Sequence, residues 1–379
     1  MKFEGWFPPH PLQPTQYGLL SVARLTELVD KSKTLDQEER WVRGYSHMFE
    51  TNPTINLLTN SGAQAHNIND ATGSKRYLDV KPFFIEVEDF ASTLTMTAEK
   101  RKEKIVRQLE AGTQKAAEHE FWHGYIARAD GNGNQYLTNA ATVNIVNSGN
   151  LLQLHEGLGF LEYAIAQSPI GEQGVIHMTR DIAAMLGSQW ILERPEDSGQ
   201  AHLETTNGTP IAIGSGYDSS GPKARLYSVA VASNGVATVI TSYPHGLTTD
   251  DLVSFSDVGD PLNPMHQVKK LDDVASYTVT GTPSPTTFTI SVNTTDIPEF
   301  SARRVSGYAF FSPDQDHKWM YATGLVDVNL GEIQVINTEP GHGYDVEGNK
   351  NDIRLKAIRP VGVHHEPAVH YAVKVQVHQ

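Results

Sequence analysis

Residues 119–123 read His-Glu-Phe-Trp-His. On a helix, His119 and His123 fall on one face and could hold a single Zn²⁺, with Glu120 placed as general base, the H-E-x-x-H arrangement of zinc metallopeptidases. That chemistry needs a third protein ligand. The continuation H-x-x-G-x-x-H fails, because Ile126 stands where glycine is required. Glu156 or Glu162, from a later helix, could complete the set, but nothing in the sequence marks either one. Glu118, directly ahead of the motif, reads as a solvated charge, whereas a catalytic helix is buried behind its ligands. With 16 histidines in the chain, a coincidental match is the competing reading. No catalytic residue, cofactor or metal site is expected, and His119, Glu120 and His123 are the rejected candidates.

Other motifs are weaker. Residues 130–135, Asp-Gly-Asn-Gly-Asn-Gln, begin like a calcium loop, but Gln135 occupies the place that needs Gly and Ala141 the place that needs Glu. Gly214-Ser215-Gly216 lacks the spacing of a phosphate loop and the helix that should follow it, so it reads as a turn. No G-x-S-x-G elbow and no P-loop occurs.

The elements that must carry these residues are legible by period. A long helix is expected over 97–124, with Ile105, Leu109, Ala116 and Phe121 as a narrow apolar stripe and Gly124 as its stop. Helices are also expected over 17–30, 36–49, 150–167 and 180–189, and strands over 80–90 and 174–179. Residues 1–16 are proline-rich and aromatic, an extended arm that would dock Trp6 and Phe7 elsewhere. The stretch 51–79 is polar and turn-rich, a loop or hairpin tip. From about 224 to 308 the chain becomes β-branched, alternating and punctuated by Asn-Gly, Pro and Gly. These are hairpin signals for a small all-β module inserted into an α+β body. Such a module is expected to be removable with its host left intact.

Composition narrows the function. The chain has 379 residues, 39% of them hydrophobic, and 30 basic against 44 acidic residues give a formal charge of −14. That balance disfavours gripping a phosphate backbone. There is no cysteine, which excludes disulfides and thiolate metal sites. No run approaches a membrane span, and the start has no apolar signal core, so the chain is read as soluble.

The order KPFFIEVEDF, a long helix ending EHEFWHG, GLGFLEYAIAQ…GVIHMT, GTPIAIGSGY…GP, WMYATGLVDVNLGE and HYAVKVQV resembles the major capsid proteins of tailed phages with the Hong Kong 97-like fold, those of actinobacterial phages above all. The resemblance covers about 79–223 and 309–379. It implies an N-terminal arm with short helices (1–59), an E-loop hairpin (60–96) and a peripheral domain with its spine helix (97–150). An axial domain follows (151–223), interrupted by the β-barrel insertion (224–308) and completed by return strands (309–379). The implied function is the self-assembling icosahedral shell of a double-stranded DNA phage. It would be made in the host bacterial cytoplasm, and would enclose DNA without sequence-specific binding or any membrane. The implied partners are many copies of itself as hexamers and pentamers, a portal, and a scaffold, maturation protease or minor capsid protein. Trp6, Phe7, Arg101, Lys102 and Trp122 are the expected assembly contacts. The alternatives are the zinc metallopeptidase and a phage tail or baseplate binding protein, the latter suggested by the β module alone.

Overall fold

The structure, a computed structural model, describes residues 17–27, 45–49, 56–58, 64–67, 76–92, 98–131, 133–167, 174–188, 192–193, 202–259, 267–313, 316–338 and 352–377. Trp6 and Phe7 lie outside them. A one-turn helix α1 (Leu19–Val22) is followed at once by strand β1 (Arg24–Glu27). The helix expected over 17–30 is thus reduced to a single turn. A parallel ladder of Arg24–Glu27 with Asp327–Leu330 competes with it, locked by a bidentate Arg24–Asp327 pair at 2.5 and 2.8 Å.

Strands β2 (Tyr45–Phe49), β3 (Asn56–Leu58), β4 (Gln64–Asn67) and β5 (Arg76–Val80) form a two-tier hairpin. Tyr45 lies opposite Val80, and Asn56 opposite Asn67. The end of the helix expected over 36–49 is therefore a strand. The hairpin begins well before residue 60, where the sequence placed its boundary.

Strand β6 (Phe83–Ser92) leads to α2 (Ala98–His123), the long helix. Arg101, Ile105, Leu109, Thr113, Ala117 and Phe121 are all buried, each four residues from the last. A step of four overshoots the helical turn by about 40°, so the buried stripe winds around α2. At one end Ile105 and Leu109 pack with Leu355 and Ala357; at the other, Ala117, Phe121 and Trp122 enter the main core. This drift is why Ala117, and not the expected Ala116, is fully buried. Gly124 ends the helix as expected, with φ +60, and a Cβ there would stand 2.3 Å from the Tyr136 ring. A short helix α3 (Tyr125–Ala129) follows.

The middle of the chain supplies β7 (Asn144–Ile145), β8 (Leu152–Gln153), α4 (Leu154–Ala166), β9 (Val175–Met178), α5 (Arg180–Ser188), β10 (Leu192–Glu193), β11 (Leu203–Thr205) and β12 (Pro210–Ile213). Then come β13 (Ala224–Val231), β14 (Val236–Thr241), β15 (Leu252–Gly259), β16 (Tyr277–Ser284), β17 (Thr287–Ser291), β18 (Phe300–Arg304) and β19 (Ser306–Phe311). The chain returns through β20 (His317–Thr323), β21 (Val326–Leu330), β22 (Gln334–Thr338), β23 (Asp352–His365) and β24 (His370–Gln376).

Three sheets organise the fold, which is α+β. One runs β1-β21-β23-β22, with β6 along β23, and carries α2. A second runs β10-β11-β12-β9-β20-β24-β7, with β8 also on β24. Helix α4 lies on this sheet through Leu154, Leu158, Leu161 and Ile165, and α5 through Ile182 and Leu186. The third closes on itself as β13-β14-β17-β16-β15-β19-β13, a six-stranded barrel in which β18 extends β19 along β13. Closure removes the sheet edges. Among the described residues no helix is long and apolar enough to cross a membrane.

The interior of the barrel is continuous with the core of the body. Val229, Val253, Phe255, Phe288 and Phe311 inside it belong to one continuous cluster with Trp122, Tyr217, Trp319 and Tyr321 of the body. The expected removable module is, in the structure, fused to its host by packing.

Candidate functional site

The end of α2 meets the 214–223 turn and the base of the barrel, and there the His-Glu-Phe-Trp-His residues can be assessed. His119 is exposed and stacks on Tyr125, ring centroids 5.1 Å apart. His123 is buried; its Nδ1 lies 3.0 Å from Lys223 Nζ and its Nε2 3.4 Å from Asp218 Oδ2. Burial, and then the Lys223 charge, push the His123 imidazole down to about 3, so the ring is neutral. Both ring nitrogens face partners within the protein, Nδ1 toward Lys223 and Nε2 toward Asp218. Glu120 accepts the N–H groups of Ile126 and Ala127 at 3.0 Å each, capping α3. Burial raises its carboxyl above the usual range, opposed by those two N–H groups.

The third ligands fare no better. Glu156 caps α4 through the Gln153 N–H at 3.0 Å, and Glu162 takes the hydroxyls of Thr205 and Thr209. Among the described residues no three His, Cys, Asp or Glu are grouped as metal ligands. The motif residues are used for capping and packing, and the geometry does not support a zinc peptidase.

Phe121, the middle of the motif, instead lies between two buried histidines, His177 at 5.4 Å and His365 at 5.9 Å between ring centroids. His365 is 4.9 Å from His370. His177 bridges Tyr217 Oη and Thr323 Oγ1 at 3.2 and 2.9 Å. The Leu137 carbonyl accepts from His370 Nε2 at 3.0 Å, and the Glu366 carbonyl accepts from His365 Nδ1 at 2.9 Å.

Glu118 is the main correction at this site. It is fully buried, not solvated. One oxygen accepts from Leu19 N and Gln114 Nε2, both at 2.9 Å; the other accepts from Ser215 N, Ser215 Oγ and Gly216 N at 2.7, 3.1 and 3.0 Å. A single carboxylate thereby ties α1 and the Gly-Ser-Gly turn to α2. Four of the five donors come from residues 97–99 positions away, or are backbone groups, so no local pattern announces the role. Glu118→Ala strands these donors in the core and is expected to cost about 3–5 kcal/mol, as breaking one side of a buried charged network does. Chemical denaturation of the purified subunit measures this. A loss under about 1 kcal/mol would mean that water replaces the carboxylate.

Two expected assembly contacts prove internal. Arg101 begins the buried series of α2. Trp122 is fully buried, donates its Nε1–H to Ser220 Oγ at 3.0 Å, and packs on Tyr217 and Tyr321. Neither side chain is available to a neighbouring molecule. Lys102 is exposed, as an assembly contact requires.

The body also holds the barrel through cations that no local pattern marks. Arg128 donates to Asp257 Oδ2 at 3.0 Å and lies over the Tyr308 ring at 4.8 Å. Lys223 Nζ is 4.9 Å from the Phe310 ring centroid, and burial lowers its ammonium to about 7. Lys374, 1% exposed, donates to Asp251 Oδ2 and Thr248 Oγ1 of the barrel, both at 2.7 Å. A Cβ on Gly246 would come within 2.9 Å of the Trp319 ring, so the Pro-His-Gly-Leu turn sits directly on that indole.

No protein-family model matches the chain. No curated protein matches it either. Solved structures similar to it include the capsid of an empty GTA particle, with 9% identity over 97% of this chain and 91% of that one, at a TM-score of 0.42. A Microbacterium phage Oxtober96 structure has 10% identity over 99% and 94%, at 0.40. A Mycobacterium phage Ogopogo structure has 11% identity over 98% and 96%, at 0.39. At TM-scores below 0.5 each is a likeness and assigns no function to this chain.

Proposed function

We propose that this chain is the major capsid protein of a tailed double-stranded DNA phage, or of a related particle, and builds the shell from many copies of itself. The observation that carries this reading is the two-tier hairpin over 45–80. Among the described residues its strands form two sheets of two strands each, β2 with β5 and β3 with β4. A two-stranded sheet is at best marginally stable in water and needs a further strand or a packed face. Copies of the same chain supply that face in an obligate assembly. The hairpin overlaps the segment (60–96) that the resemblance to Hong Kong 97-like capsid proteins gives to the E-loop, though it begins earlier, and the long helix α2 supports the reading of a spine helix. The helix–sheet pair α4–β9 and the return strands β20–β24 follow in the same order.

Hexamers and pentamers as the building units, a portal, and a scaffold, maturation protease or minor capsid protein are further parts of the proposal. So are Lys102, Trp6 and Phe7 as contacts between copies. The formal charge of −14 suits a wall that does not hold the genome it encloses.

Sedimentation and negative-stain microscopy of the purified full chain test the reading. Closed shells or capsomer-sized rings are expected, with residues 45–80 exchanging amide hydrogens far more slowly in the particle than in any free subunit. A chain that stays monomeric at every concentration and salt tried would rule it out.

A further inference from the structure

We propose that the barrel wall formed by β13 and β18 is a contact surface for a second copy of this chain, and that it seats that copy's aspartate-bearing wall around Tyr277. The inference rests on the shell-subunit reading and names which surfaces meet.

Strand β13 alternates in the ordinary way. Ala224 and Leu226 face the barrel interior, while Arg225 and Tyr227 face out, Tyr227 being 48% exposed. On the neighbouring strand Arg304 pairs with Ser228, and its guanidinium lies over the Tyr227 ring, 5.3 Å from the centroid. Arg303 is exposed beside it. Tyr243, 41% exposed, follows Ser242, whose N–H donates to the Arg225 carbonyl at 2.8 Å, so it flanks Arg225. Arginine and tyrosine together on two adjacent strands have the composition of an interface core, not of a solvated wall.

Two copies that each carry a formal charge of −14 repel overall, so attraction to this wall must come from a local acidic surface. The barrel itself supplies a matching surface. In the closed ring, β16 lies three strands from β13 in either direction. The short turn Gln267–Asp273 directly precedes its first residue, Tyr277, and β17 runs antiparallel with Ile290 opposite Val279, so Asp272 and Asp273 before β16 and Asp296 just past β17 lie at the same end. Asp273 and Asp296 are exposed, as is Lys270 on the same short turn; Asp272 also accepts the Val258 N–H at 2.8 Å. The basic and acidic walls thus face opposite ways. A contact between unlike faces is heterologous, and repetition of it makes a ring or a continuing array in place of a closed dimer. Exposed ion pairs are individually weak and fall off with salt. Several of them around two tyrosines set register and partner choice.

The test uses the full chain. R225E/R304E is expected to raise the protein concentration needed for assembly by roughly tenfold or more at low salt, with an unchanged thermal melt. D273R/D296R is expected to do the same. Mixing the two variants should restore assembly, because each reversed wall then meets its complement on the other chain. R225Q/R304Q serves if the glutamates disturb folding. Assembly of R225E/R304E at the parent's concentration and salt dependence would overturn the proposal and leave the shell reading intact. So would two defective variants that fail to complement. Unchanged assembly with lost retention on a heparin column would assign the wall to a soluble polyanion instead. A parent chain that never assembles would remove both the shell reading and this contact.

Discussion

A chain in which residues 224–308 are replaced by a short glycine–serine linker is expected to be insoluble, or soluble without a cooperative unfolding transition. The two ends of the barrel are adjacent, Ala224 pairing with Ala309, so the linker itself imposes little strain. The damage comes from what the barrel covers. Lys374 loses its bonds to Asp251 and Thr248. Trp319 and Phe311, both fully buried and packed on each other, lose the barrel side of their surroundings. Aromatic side chains of this size bury about 150–250 Å², or about 4–6 kcal/mol each if fully uncovered. The sum rivals the roughly 5–15 kcal/mol that holds a typical domain together. Soluble yield and a thermal melt decide the matter. A deleted chain that is soluble and melts within a few degrees of the parent would show that the barrel is an appendage after all.

Much of the architecture was legible because it follows local periods. The long helix, its glycine stop, the amphipathic helix over 154–166, the buried strand over 175–178 and the hairpins of the barrel are each set by residues within a few positions of one another. What could not be read depends on partners far away in sequence. Arg24–Glu27 is a strand because Asp327–Leu330 lies beside it, and Glu118 is buried because Leu19 and Ser215 converge on it. Ala117 is buried because the stripe winds along α2, which a straight stripe through Ala116 misses, and Trp122 is buried because Tyr217, Ser220 and Tyr321 close over it. The helix end is buried where Glu118 reads as solvated, and Lys223 and the α3 backbone engage His123 Nδ1 and the Glu120 carboxylate.

Acid is expected to unfold the subunit steeply between about pH 6 and pH 4, through His177, His365 and His370. All three rings are buried. Burial lowers His177 to about 3, His370 to about 4 and His365 well below its ordinary value of 6.5. Among the described residues His365 Nε2 has no hydrogen-bond partner, so a proton placed there would be an unsatisfied buried donor. In the unfolded chain the same rings take up protons near 6.5. The unfolded state therefore binds more protons over the window between 6.5 and the native values. Stability from these groups is fully present above 6.5 and is lost as pH falls through that window, at about 1.4 kcal/mol per pH unit for each histidine. Three together approach about 4 kcal/mol per unit, enough to exhaust a typical domain's stability within roughly two units. Denaturant titrations at a series of pH values give the proton uptake directly. His177→Gln, which can still bond Tyr217 and Thr323 but cannot titrate, should reduce the slope by about one proton near pH 5. A slope below one proton in the parent, or an unchanged slope in the variant, would mean that the native rings are protonated without cost and that the buried cluster is not what makes the fold sensitive to acid.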